Sequence, residues 1–400
     1  MQIGQFEGNF IFSSIILTFG LDLSRNFMIF DDILGYDSIK KYLKDSVEAQ
    51  RIPHAQLFVG NEGSGTLPMA IAYASHILCK DESSCLLKCN NLSHPDLHFV
   101  FPTAITTKVK KDPISALFLD EWRKFIKDKP YGSLFDWYQQ LGIENKQGNI
   151  GVNEAKDITS KLSLKAFEGG YKVMVIWMAE KMNTESANKL LKLLEEPPQR
   201  TIFLLVTEDE SSILDTIRSR CQILRFPPLS EKAIKEGLVK RGVAENEAVK
   251  LAVRAQGNFN KALSFLENTD EENIFEKWFI TWVRSAYRAK GNKSSIHGLL
   301  QWSEEIAASG RETQKQFLLY CIEVFRQALL MNYNSVSLVY SDFKDSSFKL
   351  EKFAPFVHGN NIQQIHQQLE EALFHVERNG NAKIIFTDLS IKLTRLLHTK

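Results

Sequence analysis

Two unbroken apolar runs constrain this chain more than anything else in it. They are Val173 to Met178, VMVIWM, and Ile202 to Val206, IFLLV. Runs without polar interruption mark strands buried on both faces, as in parallel sheets covered by helices. Between them, Thr184 to Glu196 is helical in composition and is stopped by Pro197-Pro198. The same alternation holds upstream. Tyr36, Ile39, Leu43 and Val47 fall at three- and four-residue spacing and predict a helix over 36–50. Leu57-Phe58-Val59, stopped by Gly60, predicts a strand. Met69 to Leu78 predicts a helix, and Leu97 to Phe101, closed by Pro102, another strand. Strands alternating with helices imply an α/β fold with a parallel sheet.

The rhythm breaks twice. Residues 103–150 are rich in Lys and aromatics (Phe118, Trp122, Phe125, Tyr131, Phe135, Trp137, Tyr138). This segment reads as a helical insert that packs its aromatics inward, in preference to a DNA or partner contact. The second change is Pro227-Pro228. From 230 to 266 short helices are expected, with a break at Gly257-Asn258. From 271 to 400 the pattern is helical throughout and ends in an amphipathic helix carrying Leu389, Leu393, Leu396 and Leu397.

Composition narrows the functional classes. A chain of 400 residues is too long for one ordinary domain. Its 49 Lys and Arg balance 48 Asp and Glu, so nucleic acid is not gripped by bulk charge, although a local basic face is compatible with the total. Five cysteines, three of them crowded at 79, 85 and 89, argue for reduced thiols rather than a secreted disulfide framework. No apolar run reaches the roughly 20 residues of a membrane span. Phe10 to Phe19 lacks the basic start and the cleavage site of a signal peptide. A cytoplasmic location with no membrane partner is expected. Residues 1–27 are read either as an upstream extension before a true start at Met28 or as an ordinary N-terminal strand or helix.

The most informative segment is Gly60-Asn61-Glu62-Gly63-Ser64-Gly65-Thr66-Leu67. It lies between a strand and a helix, the setting of a phosphate-binding loop. Its glycines let backbone N–H groups converge on phosphate oxygens. A working loop then needs Lys for the β/γ-phosphates and Ser or Thr for Mg²⁺. Thr66 and Leu67 stand there and supply neither. A plain Gly-rich turn is the bland alternative, and the flanking elements favour a degenerate phosphate loop. The strand at 173–178 carries the same message. An ATPase ends it in acids that hold Mg²⁺, whereas here Trp177-Met178-Ala179 precedes a lone Glu180. Elsewhere, Ser64, Ser211 and Ser212 lack His and Asp at triad spacing. Glu208-Asp209-Glu210 reads as a solvated loop.

Several motifs then fall in order. They are His54-Ala55, the loop at 60–67, His94-Pro95-Asp96-Leu97, the helix Asn188 to Glu196 with Pro197-Pro198, and Ile217-Arg218-Ser219-Arg220-Cys221. Together they resemble the delta-prime branch of bacterial clamp-loader subunits, an AAA+ family, over about 29–265. The resemblance implies an α/β fold with an AAA+ P-loop-type parallel sheet over 28–228, interrupted by the insert at about 103–150. A small helical lid over 229–268 and an α-helical collar over 269–400 follow. It implies that Arg220, in its Ser219 and Cys221 setting, reaches as an arginine finger into a neighbouring subunit's ATP site. A guanidinium gives planar, bidentate charge to a γ-phosphate. At Gly257-Asn258-Phe259-Asn260, Asn260 replaces the family's second sensing arginine, and Thr207 lies near its first sensor position. With Gly60, Gly63, Ser64, Gly65, Thr66 and Leu67 degenerate, ATP is not expected to bind. Relatives often carry a four-cysteine zinc site. Here Cys79, Cys85 and Cys89 offer three ligands for Zn, with His94 or His76 as fourth, against three free thiols. The implied partners are gamma/tau-like and delta-like loader subunits, with sliding clamp and primed DNA reached through the complex. The chain would be counted with DNA-directed DNA polymerase, a nucleotidyltransferase, by membership of the holoenzyme alone. It would hold no ATPase or polymerase activity of its own. The alternative is an active gamma/tau-like ATPase.

Overall fold

A computed structural model describes residues 29–80, 82–143, 146–168, 170–267, 270–290, 292–335, 338–339 and 343–399. The reading of residues 1–27 and of Met28 as a start lies outside the described residues.

Five strands form one sheet. They are β1 (Ala55–Val59), β2 (Leu97–Val100), β3 (Lys172–Trp177), β4 (Thr201–Thr207) and β5 (Gln222–Arg225). All pairings are parallel, in the order β2-β3-β4-β1-β5. The two apolar runs of the sequence become β3 and β4, and every residue of both is buried. β5 carries no such run. Gln222 and Arg225 are exposed at this sheet edge, so its sequence reads as loop.

Helices cover both faces. α1 (Asp37–Glu48) and α2 (Thr66–Cys79) come first, and α3 (Ser83–Asn90) follows within four residues of α2. The insert supplies α4 (Leu119–Asp128) and α5 (Leu134–Leu141). α6 (Val152–Ser163), α7 (Thr184–Glu195) and the short α8 (Asp215–Arg218) complete this part. One core, including Phe58, Ile71, Tyr73, Val175 and Leu204, lies under α2 and the insert; another, including Leu57, Met174, Leu190 and Leu205, lies on the opposite face. The insert aromatics point inward as expected. Trp122 stacks on Phe101 with ring centroids 4.3 Å apart. The Trp137 indole N–H donates to the Pro102 carbonyl at 2.8 Å.

Three helices follow: α9 (Glu231–Val239), α10 (Glu245–Ala255) and α11 (Phe259–Glu267). They share a separate core around Ile234, Leu251 and Phe259 that also takes in Leu34 and Tyr131. The remaining helices are α12 (Asp270–Ala289), α13 (Lys293–Ala307), α14 (Arg311–Asn332), α15 (Leu350–Phe353), α16 (Ile362–Glu377) and α17 (Ala382–Leu396). Their own core is aromatic-rich, with Trp282 stacked on Trp302 at 5.0 Å. No described helix is long and apolar enough to cross a membrane.

Candidate functional site

The glycine loop forms where the sequence places it, between β1 and α2. Gly63 (φ 68°) and Gly65 (φ 90°) take left-handed conformations that only glycine adopts freely. Other parts of the chain pack tightly against the loop glycines. A Cβ on Gly63 would collide with Asn258 Oδ1. A Cβ on Gly65 would lie 2.7 Å from Tyr131 Cε1. The Phe259 N–H donates to the Gly63 carbonyl at 3.0 Å, and Asn258 Nδ2 donates to Glu62 Oε1 at 3.1 Å. Thr66 and Leu67 are 7% and 4% exposed, so the two positions that would carry Lys and Ser face the core.

Half-buried carboxyl groups gather at this end of the sheet. After β3, Met178 turns left-handed (φ 54°), Ala179 is buried, and Glu180 turns to the end of β4. There its carboxylate accepts from the Thr207 hydroxyl at 2.8 Å and from the Glu208 N–H at 3.3 Å. Burial pushes the Glu208 carboxyl up to about 8, and the charges of Glu62 and Glu180 add to the rise. The expectation of a solvated 208–210 loop is corrected here. Asp209 is exposed, but Glu208 is half-buried, and Glu210 is drawn onto Arg225 at 2.7 Å. The short reach from β4 back toward Glu180 pulls Glu208 inward.

Arg220 lies just past α8, exposed together with Ser219. Its guanidinium donates to the Thr216 carbonyl at 2.8 Å and pairs with Glu195 Oε1 at 2.6 Å, at the end of α7. Cys221 is half-buried, and burial raises its thiol to about 12, so it is an inert packing residue.

The cysteine cluster assembles from α2 and α3. Cys79, Cys85, Cys89 and His94 each offer a ligand atom, all within 4.8 Å of one another, and all four residues are buried. His94 therefore completes the set, and His76 is not in it; its ring packs on Phe30. Behind His94, Nε2 meets Glu168 Oε2 at 3.2 Å, and the Asp96 N–H donates to Nδ1 at 3.1 Å. Three sulfurs and an imidazole are the donor types of structural zinc, and His94 would ligate through Nδ1 only by giving up the Asp96 N–H, with Glu168 then holding Nε2. One expectation is corrected: Cys79 and Cys85 are joined as a disulfide rather than left as thiols. The tight reversal between α2 and α3 sets their Cα atoms 5.3 Å apart, within disulfide reach. Cys89 Sγ lies 3.4 Å from Cys79 Sγ. Zinc needs three thiolates, so it fits the reduced chain alone.

Sequence reasoning missed Tyr131, Asn258, Glu195 and Glu168. Their roles depend on contacts between distant segments, which local spacing does not signal.

A parallel sheet wound by helices, with a glycine loop between β1 and α2 and three short helices packed against that loop, defines the fold. The comparisons narrow it. The family model described as DNA polymerase III, delta subunit matches residues 35–230. DNA polymerase III subunit delta' of Bacillus subtilis is 30% identical over 240 residues, 58% of this chain and 59% of the relative. Subunit delta' of Haemophilus influenzae is 34% identical over 142 residues, 36% and 42% of the two chains. Subunit tau of Bacillus subtilis is 28% identical over 317 residues, 75% and 50%. The chain thus spans about half the length of the curated relatives it matches. A solved gamma-subunit-related protein of Thermotoga maritima aligns over 90% of this chain and 99% of its own at 14% identity, with a TM-score of 0.35.

Proposed function

We propose that this chain is a delta-prime-like subunit of the DNA polymerase III clamp loader, cytoplasmic, and without ATPase or polymerase activity of its own. Three units divide the work: the AAA+ domain 28–228, the lid 229–268 and the collar 269–400, which joins it to gamma/tau-like and delta-like partners. The sliding clamp and primed DNA are met through that assembly. The observation that carries this reading is a glycine loop packed tightly against Asn258 and Tyr131 in a chain that holds Arg220 exposed.

A nucleotide brings negative charge and Mg²⁺. This loop offers neither Lys nor a metal-binding hydroxyl, and three carboxylates, Glu62, Glu180 and Glu208, interact beside it. The opposing reading, an active gamma/tau-like motor, has to displace Asn258 and Tyr131 from their contacts with the loop glycines. Arg220 instead serves a neighbour. On docking, its guanidinium leaves Glu195 and offers fixed, planar charge to the γ-phosphate bound there, where such a residue is worth about 10³–10⁵ in rate. In the reduced chain Cys79, Cys85, Cys89 and His94 would hold zinc, which would supply a structural cross-link between α2, α3 and the turn at 94.

The test is reconstitution with the partner subunits. Arg220→Ala is expected to cut the ATPase of the complex at least a hundredfold while this subunit still assembles. Unchanged ATPase would refute the finger. Micromolar Mg-ATP binding by the isolated chain would refute the inactive site. Metal analysis of reduced wild type against Cys85→Ser checks the zinc assignment: one equivalent falling to none supports it, and none in both rejects it.

A further inference from the structure

The insert at 103–150 is left unexplained by this function, yet it touches the phosphate loop and the lid together. Its base is fixed on the sheet by Trp122 and Trp137. From that base the 129–136 turn reaches the glycine loop. Tyr131 is 5% exposed, and its ring edge closes over Gly65. Its hydroxyl accepts the Leu34 N–H at 2.9 Å. The other side of the ring meets Phe259 of the lid edge-on, with centroids 5.0 Å apart. Five residues on, Asp136 starts α5 and presents a fixed carboxylate. It accepts from the Ser133 N–H at 2.8 Å, from the Ser133 hydroxyl at 2.7 Å and from Lys129 Nζ at 2.5 Å. It also accepts from Asn260 Nδ2 at 2.8 Å, and Asn260 is a lid residue.

A nucleotide in a P-loop protein does two things of this kind: it fills the glycine cradle, and it gives the lid an anion to hold. Tyr131 does the first and Asp136 the second. We infer that the 129–136 segment of the insert is a built-in surrogate ligand, which holds the lid closed on the phosphate loop without nucleotide. The lid's own Asn258 completes the closure from above. The chain thereby keeps one arrangement of sheet and lid whether ATP is present or absent, as a fixed neighbour of a cycling motor requires. This inference rests on the reading that the chain binds no nucleotide.

The experiment is hydrogen exchange by mass spectrometry on the full chain, following peptides over 60–66 and 257–263. Tyr131→Ala is expected to speed exchange at least tenfold in both peptides and to leave β3 and β4 unchanged. Tyr131→Phe, which keeps the ring, is expected to leave the 60–66 peptide as in wild type. Unchanged exchange in Tyr131→Ala overturns the inference. Should that variant fail to fold, Asn260→Ala and Asp136→Asn test the same contact from the two sides. Each is expected to speed exchange at 257–263 at least threefold, and the double variant no more than either alone. Independent, multiplying effects overturn the inference. Titrating wild type with Mg-ATP separates the two levels. Binding refutes the inactive-site reading and the surrogate with it, whereas no binding together with unaltered exchange refutes the surrogate alone.

Discussion

Replacing Gly63 with Ala probes the lid contact at its tightest point. The residue sits at φ 68°, and a Cβ there meets Asn258 Oδ1. The left-handed backbone costs an alanine roughly 1–2 kcal/mol. Asn258 must then move, and two bonds go with it. One is Asn258 Nδ2 to Glu62 at 3.1 Å, worth about 1 kcal/mol or more. The other is the Lys261 N–H to Asn258 Oδ1 bond at 2.9 Å, which caps α11 and contributes about 1 kcal/mol. The sum is about 4 kcal/mol against lid closure. Trypsin at Lys261, half-buried in the first turn of α11 and bonded through its N–H to Asn258, is the readout of that opening. Where opening is fast relative to cleavage, the rate follows the open population. Gly63→Ala is then expected to raise cleavage about a thousandfold, at about 1.4 kcal/mol per tenfold. In an Asn258→Gly background the collision and both bonds are already gone. There the same substitution is expected to raise cleavage only about tenfold, the backbone share. Equal increases in the two backgrounds would refute the collision as the source of the effect.

Three further outcomes follow from buried groups. Burial raises the Glu154 carboxyl to about 7 from an ordinary 4.5, against the opposing Ser115 N–H bond. Because the folded value is the higher one, the protonated form stabilises the fold fully below about pH 4.5, and this contribution is lost as pH rises through 7. The loss is about 3 kcal/mol at 1.36 kcal/mol per tenfold, so Glu154→Gln is expected to raise Tm at pH 8 and to match wild type near pH 4.5. Trp137→Phe gives up the indole bond to Pro102 and is expected to cost about 1–3 kcal/mol in urea unfolding. Asn361, fully buried, bonds the Phe356 carbonyl, the Leu396 carbonyl and the His358 N–H. Asn361→Ala is expected to destabilise the C-terminal helices by about 3 kcal/mol or more in urea unfolding, through three broken bonds.

The sequence was most legible where burial is total. Val173 to Met178 and Ile202 to Val206 have no polar residue to allow another reading, and they became the two strands with every residue buried. Tyr36, Ile39, Leu43 and Val47 likewise predicted α1 within a residue or two at each end. The glycine loop was readable because a strand, a positive-φ turn and a helix each leave local marks. β5 was not, because an edge strand of four residues needs only one face covered, and Leu224 alone is buried in it. The fourth cluster ligand was undecidable between His94 and His76, since both lie close in sequence and only the α2–α3 reversal selects one. Tyr131 looked like any other aromatic of the insert. Its contact with Gly65 joins residues 66 positions apart through the packing of the insert on the glycine loop, and nothing in its neighbours announces that.

The strand order has a consequence for how the chain is made. β1 ends at Val59, yet its two sheet neighbours are β4 and β5, and β4 begins at Thr201. A ribosome adding about 5–20 residues per second needs roughly 7–30 s to cover that gap. During that interval Leu57 and Phe58, both with no exposure in the finished fold, have no strand on either side. The 103–150 segment accounts for about a third of the wait. Nascent chains stalled before residue 200 are expected to bind a hydrophobic-surface chaperone, and chains released past residue 230 to shed it.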